Sequence, residues 1–281
     1  KVYNSLLSGV DGYENVERDL QGASFPGGQR LVAPPTHGRD LALTLDRALQ
    51  FEAERLLVEG VNEAGGQGGI LIAMDPKNGE MLVSATAVRD DDGEVRQSGE
   101  HRAATWTYEP GSIIKPLTIA AVLDASVASP STIREVSGRI KIHDAEFADA
   151  PLHDPIDLSI ADILRRSSNV GTIMWATDLG PEALYSKLCE FGLGRLSMLE
   201  FPGESSGHLP KTSNWSGTSL PTIAIGQGVS VTPIQMVTAY AALANGGVRP
   251  APSLVLGTSD NKGVFQFQRP GPSTTVITST V

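Results

Sequence analysis

Ser112 and Lys115 stand three positions apart in "TWTYEPGSIIKPLTIAAVLD", residues 105–124, where a run of apolar residues at helical spacing begins. A serine hydroxyl is a weak nucleophile until a neighbouring base takes its proton, and a partly desolvated lysine can be that base. An i, i+3 pair shares one helix face, so the two groups can share a proton. Placed just after Gly111, Ser112 would lie at the positive end of the helix dipole, where developing negative charge is stabilised. Pro116 falls near the first turn, where a missing N–H is least costly. The same residues also read as a helix cap beside a surface lysine. Taken alone, the stretch leaves both readings open.

A second polar cluster interrupts the apolar stretch "DILRRSSNVGTIMWAT". Ser167 and Asn169 lie two apart. In a turn between two helices both could face one cleft, the hydroxyl relaying a proton and the amide holding a substrate amide. Alternatively, the "SSN" caps a helix beginning at Val170. Another S-x-x-K, "SDNK" at residues 259–262, is a polar cluster between two short apolar runs and has the composition of a hairpin turn.

These side chains need elements to hold them. "LTLDRALQFEAERLLVEGVNEAG" predicts a helix with Asp46 as N-cap and glycines at its end. "GGILIAMDP" and "GEMLVSATAV", joined by "DPKNGE", predict a hairpin. Helical patterns dominate from the serine onward, through "LSIADILRRSSNVGTIMWATDLG" and "TPIQMVTAYAALANGG", and strand-like pieces such as "PSLVLG" and "GVFQFQ" come late. The order implies a mixed α+β domain without βαβ alternation. Residues 1–43, with "GASFPGG" and "APPTHGRD", read as a connecting segment, and residues 44–281 as the main domain.

With 281 residues and 40% hydrophobic content, the chain can bury a sizeable core. A net charge of -10 argues against nucleic acid, which needs a basic footprint. The one cysteine, Cys189, sits in an amphipathic stretch and suits core packing. The five histidines, His37, His101, His143, His153 and His208, show no metal-ligand spacing. "GGQGG" lacks the Lys and Ser/Thr of a phosphate-binding loop. No cofactor is implied. Apolar runs fall short of the ~20 residues that cross a bilayer, and no signal peptide is visible.

The blocks "HRAATWTYEPGSIIKP", "LSIADILRRSSNVGT", "LYSKLCEFGLG", "FPGESSGHLP" and "IGQGVSVTPIQMVTAYAALANGGVRP", in this order, resemble the transpeptidase domain of class B penicillin-binding proteins, most closely the division-type enzymes of septal peptidoglycan synthesis. The resemblance covers nearly the whole chain. It implies the fold shared with serine β-lactamases, a central antiparallel sheet with helices on both faces. It further implies that Ser112 attacks the D-Ala-D-Ala end of a stem pentapeptide, that Lys115 is the general base, that Ser167 relays a proton and that Asn169 positions the substrate. Peptidoglycan stem peptides and β-lactam antibiotics are then the ligands, and a glycosyltransferase and other division proteins the partners. The expected place is the outer face of the bacterial cytoplasmic membrane, reached through an N-terminal anchor outside this sequence.

Two positions depart from the family pattern, His101 where Asn is usual and Trp106 where Asp is usual, beside the serine rather than on it. The family's third motif, K-T-G, occurs nowhere; "PKTSN" precedes the block it should follow and reads as a polar loop. The motif belongs to a sheet strand that supplies an oxyanion N–H and an edge for the substrate. The chain is therefore expected to be part of a longer polypeptide, lacking its C-terminal strands and impaired as a fragment. Two other functions fit the residues: a non-catalytic scaffold for division proteins, and a β-lactamase or penicillin sensor on the same fold.

Overall fold

The structure, a computed structural model, describes residues 2–23 and 31–278. Most of "GASFPGG" lies outside the described residues. Along the chain come α1 (Asn4–Leu7), β1 (Tyr13–Asn15), β2 (Leu31–Ala33), β3 (Leu41–Leu43) and α2 (Arg47–Glu63). The strands β4 (Gly68–Met74), β5 (Met81–Arg89) and β6 (Val95–Gln97) precede α3 (Arg102–Thr105), a 3-10 turn at Gly111–Ile114 and α4 (Lys115–Asp124). Then follow β7 (Ile133–Val136), β8 (Arg139–Ile142), β9 (Ala145–Ala148) and β10 (Ile156–Ser159), and the helices α5 (Ile160–Arg166), α6 (Asn169–Leu179) and α7 (Pro181–Glu190). The last elements are α8 (Ser219–Ala224), α9 (Pro233–Ala244), β11 (Val248–Arg249), β12 (Val255–Ser259), β13 (Phe265–Phe267) and β14 (Thr274–Thr275).

The chain divides into two compact units, Lys1–Thr44 with Leu254–Arg269, and Leu45–Ser253 with Pro270–Val281. In the first, β12 lies between β13 and β3, antiparallel to both. "SDNK" is the hairpin turn its composition predicts: the Asp260 carboxylate accepts from the N–H groups of Lys262 and Val264, and Gly263 takes φ 78°.

In the second unit the Asp46 carboxylate accepts from the N–H groups of Ala48 and Leu49, which starts α2 at the expected cap. The predicted hairpin is β4 with β5, and β6 continues it as an antiparallel three-stranded sheet. Val83, Ala85 and Ala87 alternate onto the face that α2 covers through Ala53, Leu57 and Val61. Ser84 points to the opposite face, where its hydroxyl meets His101 at the start of α3. Helices thus pack on both faces of an antiparallel sheet, the α+β arrangement expected from sequence.

Helix α4 runs between two apolar clusters. Ile114, Leu117 and Ala120 pack with α6, α7, α8 and α9, while Ile119 and Val122 pack with β7, β10, α5 and α6. Seven of its residues, from Lys115 to Val122, are buried, as for a helix apolar all round. The helix that carries the lysine is thereby fixed on every side. Cys189 is buried in α7, as its surroundings in the sequence suggest.

Candidate active site

The turn Gly111–Ile114 brings Ser112 to the surface immediately before α4, with its N–H at the end where such groups lack an intrahelical acceptor. Ser112 caps nothing. Neither the turn nor α4 has a side-chain cap, and among the described residues the Ser112 hydroxyl has no hydrogen-bond partner. That removes the helix-cap reading and leaves an exposed, uncommitted hydroxyl. Lys115 is equally unlike a surface lysine, with only 2% of its surface exposed. Burial lowers its pKa from 10.5 to about 8, against the opposing pull of the Asp149 carboxylate.

The Lys115 Nζ donates to the backbone carbonyl of Ser167 at 2.5 Å and to its hydroxyl at 3.0 Å. Ser167 reaches both because it ends α5 in the left-handed region, φ 54° and ψ 40°, which a serine adopts only when its surroundings impose it. The following Ser168 is the true cap: its hydroxyl accepts from the N–H of Gly171 and starts α6. Asn169 opens α6, and its Nδ2 donates to the carbonyl of Ala148 at 2.8 Å. The structure therefore places Lys115 and Ser167 in contact and Asn169 on the same turn, with Ser112 one helical turn before the lysine. The capping alternative holds for the middle residue of "SSN" alone.

A second loop frames the serine. The N–H of Gly111 donates to the carbonyl of Gly226 at 2.9 Å, the N–H of Gly228 donates to Glu109 Oε1 at 2.9 Å, and Tyr108 and Val231 exchange backbone hydrogen bonds. Gly226 has φ 84°, and a Cβ there would stand 2.1 Å from the Gly111 carbonyl oxygen. Only glycine fits. The Tyr240 hydroxyl donates to the carbonyl of Ile113 at 2.7 Å and ties the same turn to α9.

Asp149 is a buried partner of the "SSN" turn that sequence reasoning misses. Its carboxylate accepts from the Ser168 hydroxyl at 2.6 Å and from the Val170 N–H at 2.9 Å, and it meets His153 Nε2 at 3.1 Å. One of two aspartates in "FADAPLHD", it gives no local sign of this. Of the two departures, His101 has its Nδ1 against the Ser84 hydroxyl at 3.0 Å and its pKa lowered by burial, and Trp106 lies under the Arg102 guanidinium at 4.1 Å. "PKTSN" is a mostly exposed loop with a 3-10 turn at Thr212–Asn214. No group of three or more potential metal ligands occurs among the described residues.

A family described as penicillin binding protein transpeptidase domain matches residues 69–281. The chain belongs to that family. It is 33% identical over 260 residues to penicillin-binding protein PbpB of Mycobacterium tuberculosis, covering 91% of this chain and 38% of that protein. It is 28% identical over 253 residues to peptidoglycan D,D-transpeptidase FtsI of Escherichia coli, covering 88% and 42%. Among solved structures, penicillin binding protein 3 of Mycobacterium tuberculosis complexed with aztreonam superposes with TM-score 0.82 at 28% identity, over 94% of this chain and 62% of that one. The chain spans about two fifths of the length of these curated relatives. The serine turn, the lysine helix and the "SSN" turn all fall within the matched residues 69–281.

Proposed function

We propose that this protein is a serine D,D-transpeptidase that cross-links peptidoglycan stem peptides in septal wall synthesis. The observation that carries the reading is the pairing of an uncommitted Ser112 hydroxyl with a buried Lys115 whose pKa lies near 8. Neutral Lys115 accepts the proton as Ser112 Oγ bonds to the carbonyl carbon of the penultimate D-alanine. The peptide bond then breaks, and the proton passes from Lys115 through the Ser167 hydroxyl to the departing amine of the terminal D-alanine. The Ser112 N–H, at the open end of its turn, stabilises the oxyanion. Asn169 keeps one Nδ2 hydrogen for the acyl amide while the other holds Ala148. An amine from a second stem peptide reverses the sequence and takes the acyl group.

A β-lactam acylates Ser112 as a mimic of the same substrate. The relative solved with aztreonam supports this ligand class. The setting that fits is the bacterial envelope, outside the cytoplasmic membrane, alongside a glycosyltransferase and other division proteins. No helix among the described residues is long and apolar enough to cross a membrane.

The test is to incubate the intact protein with a donor pentapeptide and an amine acceptor. One D-alanine released per cross-linked product, lost in Ser112→Ala, supports the reading. Release without transfer to the acceptor contradicts it.

A further inference from the structure

The "SSN" turn is held from below by the end of β9. Ala148 accepts from Asn169 through its carbonyl, and the next residue, Asp149, accepts from the Ser168 hydroxyl and the Val170 N–H through its two carboxylate oxygens. Two consecutive residues thus fix three consecutive residues of the turn. The Asp149 side chain is only 6% exposed, so its hydrogen bonds are made away from bulk water. The other polar links of the turn run to α4, α5 and α6: Lys115 donates to Ser167, the Ser168 N–H donates to the Ile163 carbonyl, and the Ser168 hydroxyl accepts from the Gly171 N–H.

We infer that Asp149 is a positioning residue for acylation, which holds Ser167 in its left-handed conformation through the Ser168 turn and whose negative charge attracts the protonated Lys115. The inference rests on the transpeptidase reading and extends it to a residue that does not touch substrate. Geometry carries the first half. If the Ser168 link is lost, the turn is free to relax Ser167 toward an ordinary helical conformation, and its hydroxyl and carbonyl no longer meet Lys115 together. Electrostatics carry the second. The Asp149 carboxylate pulls the Lys115 pKa upward against the larger effect of burial, so it favours the protonated amine.

The groups facing this pair are few. On Lys115 they are Ser167 and Asp149. On Asp149 they are Ser168, the Val170 N–H and His153. His153 in turn is held by the Asp154 carbonyl at 2.7 Å and feels Arg166, and the Asp154 carbonyl first and Asp149 second raise its pKa. As pH falls through that raised value, the imidazolium offsets the Asp149 charge.

The experiment measures the second-order rate of acylation by a fluorescent penicillin against pH, with intact wild-type protein, Asp149→Asn and Ser168→Ala, and a thermal melt of each. Asp149→Asn is expected to move the midpoint of the rising limb to lower pH by about half a unit or more, since one charge near the base is gone. Ser168→Ala keeps the charge and loses the tether. It is expected to lower the plateau by roughly tenfold or more with the midpoint unmoved. An Asp149→Asn midpoint equal to that of wild type overturns the electrostatic half. An undiminished Ser168→Ala plateau overturns the positioning half, and does so even if Asp149→Asn does not fold. A wild-type protein that takes no label refutes the transpeptidase reading itself, a result separate from either.

Discussion

Lys115 and Ser167, 52 positions apart in sequence, meet through two hydrogen bonds, one to a carbonyl and one to a hydroxyl. The carbonyl and the hydroxyl together hold the amine in place. A surface lysine would make neither contact and would stay charged at neutral pH. Buried where it is, Lys115 has a pKa of about 8 and is partly neutral under physiological conditions.

That burial predicts a trade between stability and activity. The lysine's folded-state pKa lies below its unfolded value of 10.5, so the folded state binds fewer protons between about pH 8 and 10.5 and stability rises with pH across that window. Below pH 8 the full penalty applies, on the order of 3 kcal/mol. Lys115→Met should therefore abolish acylation while raising the melting temperature at pH 7, by about 1–3 kcal/mol in stability. Calorimetry of both proteins at pH 7 and pH 10 checks the sign, and the gap should shrink at the higher pH.

Acylation itself should follow the lysine. Its second-order rate with penicillin is expected to rise with pH and level off above about pH 8, because only neutral Lys115 accepts the Ser112 proton. Ser167→Ala leaves the base but removes the relay, and should slow acylation by roughly 10²–10⁴-fold. Stopped-flow labelling at several pH values measures both effects.

Gly226→Ala is predicted to damage the site from a distance. The new Cβ would stand 2.1 Å from the Gly111 carbonyl oxygen at a backbone φ of 84°, so the loop must move away from the serine turn. We expect a loss of about 2–4 kcal/mol in stability and a fall in acylation larger than unfolding accounts for. Chemical denaturation and labelling of the folded fraction separate the two.

The start of α5 offers a milder test. Ser159 accepts from the Asp162 N–H while the Asp162 carboxylate accepts from the Ser159 N–H, a reciprocal capping box at the head of the helix that ends in Ser167. Ser159→Ala should cost about 1 kcal/mol. Arg165 first and Ser159 second hold the Asp162 carboxyl down at about 2. Its contribution is therefore complete above its ordinary value near 4 and lost as pH falls through about 2. The gap between the acid unfolding curves of wild type and Ser159→Ala should narrow in that range.

Much of this was legible in the sequence where the information is local. Asp46 announces α2, the Pro, Asn and Gly of "DPKNGE" announce the hairpin, and the apolar run after Lys115 announces a buried helix. The pairing of "GS" with "SSN" was legible only through the family blocks, since nothing in either stretch names the other. Asp149 and Gly226 were not legible. Their roles depend on contacts at separations of 19 and 115 positions, to Ser168 and Gly111, and a carboxylate or a glycine looks the same in sequence whether or not such a contact forms. The assignment of the cap within "SSN" was equally hidden, because three polar residues in a row offer three candidates and only backbone geometry selects Ser168.

The most direct measurement is to treat the intact protein with a penicillin and locate the adduct by peptide mass spectrometry. A single acyl ester on Ser112 is predicted, in the peptide containing "YEPGSIIK", formed in proportion to enzyme and absent in Ser112→Ala. No adduct on the folded protein, or an adduct that persists at another residue in the Ser112→Ala variant, would contradict it.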